Sequence, residues 1–221
     1  MKVHTSDFYK NFSSTLAILT AFTGAIIGTY NIFHSTPYFI MLGYAFALTA
    51  LLPPLLWKIA GLKPVWVINV FLYLFVALAF GGGMMLNGYH LLPYYDKFVH
   101  CLSGVLFTLI GGCLYFFLKP DARPEKSEGK LHCAFSVFFS LSVGCIWEVI
   151  EYVLNIFLHN DPQNVLTTGV NDTMQDLISC MIGSFIVAVF LSGYFKKNKR
   201  NFISDIIVMF QKQMLKKEEA N

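Results

Sequence analysis

Apolar residues run along this chain in long blocks that are apolar on every side. A helix needs about 20 such residues to cross the hydrocarbon of a bilayer. Six blocks reach that length: residues 13–33, 37–57, 65–86, 98–118, 131–158 and 173–194. A transmembrane barrel strand would alternate apolar and polar positions over about ten residues, and none of the blocks does. Pro37, Pro64, Pro93, Pro120 and Pro162 punctuate the connections, where a missing backbone N–H does little harm. Pro53 and Pro54 lie inside the second block and predict a kink or an early end there. The first block is too long for the apolar core of a signal peptide, and no clear cleavage motif follows it; it reads as a retained span.

After Arg200 the pattern changes. Phe202, Ile203, Ile206, Ile207, Phe210 and Met214 recur on one helical face between polar residues, which predicts an amphipathic helix. The expected fold is all-α: a six-helix transmembrane domain over residues 1–195, then a basic amphipathic tail over 196–221.

Composition agrees and excludes the alternatives. Hydrophobic residues make up 56% of the 221 positions and charged residues 13%, against about 25% charged in a soluble domain. A water-soluble enzyme and a disordered chain are both ruled out. The charge distribution orients the bundle. With the N-terminus inside, fifteen of the sixteen Lys and Arg fall in cytoplasmic segments, and Lys97 alone falls outside. That asymmetry predicts cytoplasmic termini and a multi-pass protein. Seven of these cations lie in the tail, where they would face anionic inner-leaflet lipids rather than nucleic acid.

Candidate chemistry gathers in the second half. Asp96 and His100 sit four apart where the fourth span begins. Glu148 and Glu151 sit three apart in the fifth, and Asp172 and Asp176 four apart where the sixth begins. Each spacing places both side chains on one helical face. Glu148 lies 17 residues beyond Leu131, about 25 Å along a helix in hydrocarbon about 30 Å thick. All three pairs are therefore expected at a similar depth in the outer half. Five carboxylates face two nearby cations at most, Lys97 and a protonated His100. A charged carboxylate at the centre of a span costs roughly 2.5–3.5 kcal/mol, so the group must be protonated, hydrogen-bonded or neutralised by a cation. Its oxygens and one imidazole suit Zn, Mg, Mn, Fe or Ca; a proton relay and buried hydrogen bonding are the other readings.

Other features have plainer readings. The five cysteines lie in apolar stretches without a C-x-x-C pair and read as packing residues. Trp147, Tyr94, Tyr95 and Tyr152 read as interfacial anchors or packing residues rather than substrate stackers, and His90 and His159 as solvated loop residues. His4, His34 and His132 have no acidic partner at motif spacing within the apolar blocks. Gly81-Gly82-Gly83 suggests close packing or local unwinding. Asn171 and Gln175 flank the last Asp pair and are possible amide donors to it.

The three segments, Asp96-Lys97-x-x-His100, Trp147-Glu148-x-x-Glu151 and Asp172-Thr-x-x-Asp176 with Gly183, resemble the YjdF-like family of bacterial inner-membrane proteins over roughly residues 65–195. More loosely they are similar to the VanZ-like proteins, linked to glycopeptide tolerance, although Glu151 and Asp176 stand where Gln and Asn are usual. The resemblance implies a bacterial plasma-membrane location and marks these residues without supplying a reaction. Three functions are compatible with the cluster. The first is a metal-dependent hydrolase or transferase acting on a lipid or lipid-linked envelope substrate. In it Asp96, His100, Glu148, Asp172 and Asp176 would be metal ligands and Glu151 the general base. The second is a proton- or ion-coupled transporter, for which a second polar station in the first three spans would be expected, where Asn69 stands alone. The third is a structural or regulatory membrane protein.

Overall fold

In the computed structural model, residues 4–119, 126–158, 161–197 and 199–218 are described. The elements are α1 (His4–His34), α2 (Pro37–Leu48), α3 (Leu52–Ala60), α4 (Trp66–Val76), α5 (Gly88–Leu91), α6 (Tyr95–Leu118), α7 (Lys126–Leu158), α8 (Val165–Thr168), α9 (Asn171–Lys197) and α10 (Phe202–Glu218). A 3₁₀ turn, Thr49–Leu51, joins α2 to α3, and a π-helical stretch, Ala77–Met85, extends α4. Among the described residues six helices are long and apolar enough to cross a membrane: Asp7–His34, Pro37–Ala60, Trp66–Met85, Tyr95–Leu118, Glu128–Phe157 and Asn171–Lys197. They coincide with the six apolar blocks to within a few residues, and the protein is an all-helical membrane protein.

The chain forms two compact units, Met1–Tyr95 and Asp96–Asn221. In the first, α1 packs along α2 through Gly28 and Gly43, where a Cβ on Gly43 would overlap the Gly28 backbone. Contact this close needs small residues, as is usual between membrane helices. A 3₁₀ turn interrupts the second span just before Pro53 and Pro54, and the span continues to Ala60. Pro54 leaves the Ala50 carbonyl without its helical donor, and the Tyr73 hydroxyl donates to that oxygen at 2.8 Å. Asn69, buried on α4, accepts from the Trp57 indole N–H at 2.6 Å. The three glycines fall in the π-helical stretch, where a Cβ on Gly82 or Gly83 would collide with Tyr95 or Tyr89. Tyr95 donates to the Leu78 carbonyl at 2.9 Å, which makes it a packing residue of this turn, the second of the two roles expected.

The second unit is built from α6, α7 and α9. Here α6 and α9 cross at Gly104 and Gly183, each placed so that a Cβ would overlap a carbonyl oxygen of the other helix. At this crossing Ser184 Oγ donates to Ser140 Oγ at 2.9 Å, and Ser140 Oγ donates to the Gly104 carbonyl at 3.1 Å.

The tail helix differs in one respect from the expectation of an apolar face laid on lipid. Ile206, Ile207, Phe210 and Met214 are buried inside the protein. Gly112 of α6 makes room for Ile207, whose Cδ1 would lie 2.7 Å from a Cβ there. Asn201 and Ser204 cap α10 reciprocally, each side chain accepting the other's backbone N–H at 2.9 Å, an arrangement that fixes where a helix starts. Lys196, Lys197, Lys199, Arg200 and Lys212 stay exposed.

Candidate functional site

The acidic pairs meet in the second unit, where α6 and α9 begin and α7 nears its end. Asp96 and His100 stand one turn apart at the start of α6, with His100 Nε2 3.5 Å from Asp96 Oδ1. From α9, Asp176 brings Oδ1 to 3.9 Å from His100 Nε2. These three residues offer ligand atoms within 4.8 Å of one another, and Asp176 is only 2% exposed. Asp172 and Glu148, also expected as ligands, stand outside this trio.

Lys97 explains where Asp172 goes. Its ammonium lies 3.1 Å from Asp96 Oδ2, 2.5 Å from Asp172 Oδ1 and 2.8 Å from Asp176 Oδ1. The last contact is an ion pair that holds the buried Asp176 Oδ1 against the ammonium. One lysine thus neutralises part of the charge of three aspartates, where the sequence had placed it only as a neighbour. The pairing is strong here because the groups are shielded from water: charges 3 Å apart interact several times more strongly at a protein's effective dielectric than in bulk.

The loop between α7 and α9 contributes two residues absent from the sequence expectation. Gln163, buried, donates its amide to both Glu148 Oε2 (3.1 Å) and the Glu148 carbonyl (3.0 Å). Asn164 donates to Asp172 Oδ2 at 2.8 Å. These two, rather than Asn171 and Gln175, are the amide donors; both of the latter are exposed. Asp161 braces the loop by accepting the backbone N–H groups of Val165 and Leu166 at 2.8 and 3.1 Å. A Gln-Asn pair in a short polar loop was the available signal, but it has no helical period to tie it to a carboxylate.

Glu148 keeps its second oxygen, Oε1, buried without a hydrogen-bond partner. Glu151 accepts from the Trp147 indole N–H at 3.0 Å and is half-buried. The two glutamates lie close enough to Asp96 to feel its charge, and Glu148 also feels Asp172. All five carboxylates therefore form one electrostatic group, although only Asp96 and Asp176 converge on His100.

All of this lies within a segment that one family model covers, from residue 12 to residue 197. The chain belongs to the predicted membrane protein family DUF2238. No curated protein and no solved structure matches it. For this DUF2238 member the site must therefore be read from its own residues. Of the histidines set aside earlier, His90 and His34 are exposed, His159 lies outside the described residues, and His132 is buried. The five cysteines form no disulfide.

Proposed function

We propose that this protein is a YjdF-like bacterial inner-membrane enzyme. Its site faces the outer leaflet, holds a divalent cation, and hydrolyses or transfers a group on a lipid or lipid-linked envelope substrate. One observation carries the reading: Asp96, His100 and Asp176, from two helices 76 residues apart in sequence at His100 and Asp176, bring two carboxylates and an imidazole to within 4.8 Å. That donor set fits a hard or borderline divalent ion. Asp176 Oδ1, buried between the Lys97 ammonium at 2.8 Å and His100 Nε2 at 3.9 Å, is the oxygen such an ion would meet.

In this reading Asp96, His100 and Asp176 hold the cation. Asp172 and Asn164 keep Lys97 at the edge of the site, where its ammonium can meet an anionic substrate group. Glu148, gripped by Gln163, fixes the loop over the site. Glu151, oriented by Trp147, is the general base expected from the sequence. When bound, a divalent cation polarises a phosphoryl or acyl oxygen and acidifies a water molecule.

The test is metal content and thermal stability of the purified protein. After metal stripping and separate reloading with Mg²⁺, Mn²⁺ or Zn²⁺, the wild type should retain about one equivalent of one of them and melt at a higher temperature. Asp176→Asn and His100→Gln should stay folded and lose both effects. Equal retention in wild type and variants, or none in the wild type, overturns the proposal.

A further inference from the structure

The connection between α7 and α9 does not arch over the end of α7. That helix runs to Leu158, ten residues beyond Glu148, about 15 Å further along its axis. The chain then folds back down its side. Asp161 donates its backbone N–H to Asn155 Oδ1 at 3.2 Å. Two residues on, Gln163 reaches the Glu148 carbonyl at 3.0 Å. Asn164 meets Asp172, in the first turn of α9, at 2.8 Å. The segment therefore rejoins the bundle at the level of Glu148, about three turns below the end of α7.

That level lies inside the membrane. The fifth span extends to Phe157, and Val149, Ile150, Val153, Leu154, Ile156 and Phe157 are all exposed around its last turns. So dense an apolar surface belongs against lipid, and an α7 end standing in water would leave all of it wet. Irregular backbone at such a depth has to find its own hydrogen-bond partners. Here it does. The Asp161 carboxylate accepts the N–H groups of Val165 and Leu166. Those of Asn164, Thr167, Thr168 and Gly169 bond carbonyls of residues 161, 164 and 165. Every N–H from Asn164 to Gly169 is thus satisfied within the segment. Thr167 and Thr168 also turn their hydroxyls back onto the Asn164 carbonyl, at 3.1 and 3.0 Å. Asp161 and Asn164 take φ of 42° and 49°, the left-handed region that Asp and Asn tolerate best after glycine.

The side chains sort by chemistry. Gln163 and Asn164 turn their amides to the carboxylates of the site. Val165, Leu166 and Val170 are exposed, Leu166 at 89%.

We infer that residues 161–170 are a re-entrant segment seated in the outer leaflet, with Val165, Leu166 and Val170 against phospholipid and Gln163 and Asn164 lining the acidic site. The occupant of the apolar side is the leaflet itself, because the depth fixed by Glu148 and Asp172 puts those three side chains beside the apolar end of α7. This seating does not rest on a bound metal. One consequence does rest on the enzyme reading above: the headgroup of the substrate reaches Asp96, His100 and Asp176 along the leaflet, beside the segment. The substrate class is then a membrane lipid and not a soluble ester.

Fluorescence quenching tests the seating. The full-length protein, carrying a fluorescent amino acid in place of Leu166 or, separately, Val170, is reconstituted in vesicles of phosphatidylethanolamine and phosphatidylglycerol. Apolar side chains at an interface sit about 5–10 Å deep, so lipid brominated high on its acyl chains should lower the emission about twofold. The same amino acid at Ile178, an exposed position of the sixth span, should respond alike. Iodide on both faces should leave positions 166 and 170 nearly unchanged and quench the probe at Lys199, exposed after the sixth span. Strong iodide quenching without a bromolipid effect would place the segment in water. Quenching by neither would place it against protein, a second copy of this chain included. Either result overturns the inference. Metal retention of the same preparations is read separately. A segment in water with metal retained sinks the seating alone, and a lipid-seated segment without metal sinks the enzyme reading alone.

Discussion

Lys97 touches three aspartates, and the charge at the site turns on that one ammonium. Removing one partner from a shielded ion group costs about 3–5 kcal/mol, because the remaining charges stay buried and unpaired. Lys97→Met should therefore lower the thermal midpoint sharply in EDTA, while Lys199→Met, at an exposed position, should not. If the site takes a divalent ion, adding that ion should restore much of the loss in Lys97→Met. Gln163 is the second decisive residue. Its replacement by Ala removes the donor that holds Glu148 Oε2 and the Glu148 carbonyl. The expected cost is about 1–3 kcal/mol, read as a lower unfolding midpoint, with exposed Gln175→Ala unchanged as the control. The helical carboxylates were legible in the sequence because three- or four-residue spacing in an apolar helix is itself a signal. Lys97's three contacts and Gln163's reach were not, because neither obeys a period.

At the scale of the elements, helix crossings decide which polar groups meet. A methyl on Gly104 would overlap the Cys180 carbonyl oxygen, which cannot move aside as a side chain can. Gly193, on the same unit, has open space around the same position. Gly104→Ala should thus destabilise the protein by about 1–3 kcal/mol, and Gly193→Ala should leave it unchanged or slightly more stable, since Ala favours helix. Equal midpoints for the two variants would show that α6 and α9 do not cross at Gly104. The prolines and glycines announced local irregularity correctly: a 3₁₀ turn precedes Pro53 and Pro54, and the three glycines coincide with the π-helical stretch. What fills each irregularity came from elsewhere in the chain, Tyr73 in one case and Tyr95 in the other.

For the whole molecule, the distribution of Lys and Arg predicts the sidedness of the site. A reporter fused after Lys130 should read cytoplasmic and one inserted after Asn164 external; the opposite result would place the acidic cluster on the inner face. The tail is the other feature at this scale. A helix resting on lipid could be removed with little effect on the bundle. Instead Ile206, Ile207, Phe210 and Met214 are buried in the protein, with Ile207 against Gly112. Truncation after Arg200 should lower the unfolding midpoint of the detergent-solubilised protein, even with all six spans present.

The sequence by itself determined the six spans, the amphipathic tail and the three acidic pairs. Hydrocarbon demands unbroken apolar length, and a helix repeats its faces every three or four residues, so both leave a periodic trace. Tertiary structure alone decided which carboxylates converge on His100, that Lys97 sits among three of them, that a loop glutamine grips Glu148, and that the tail's apolar face is covered. Such contacts join residues up to 80 positions apart. They depend on where helices cross, which small residues permit but do not specify.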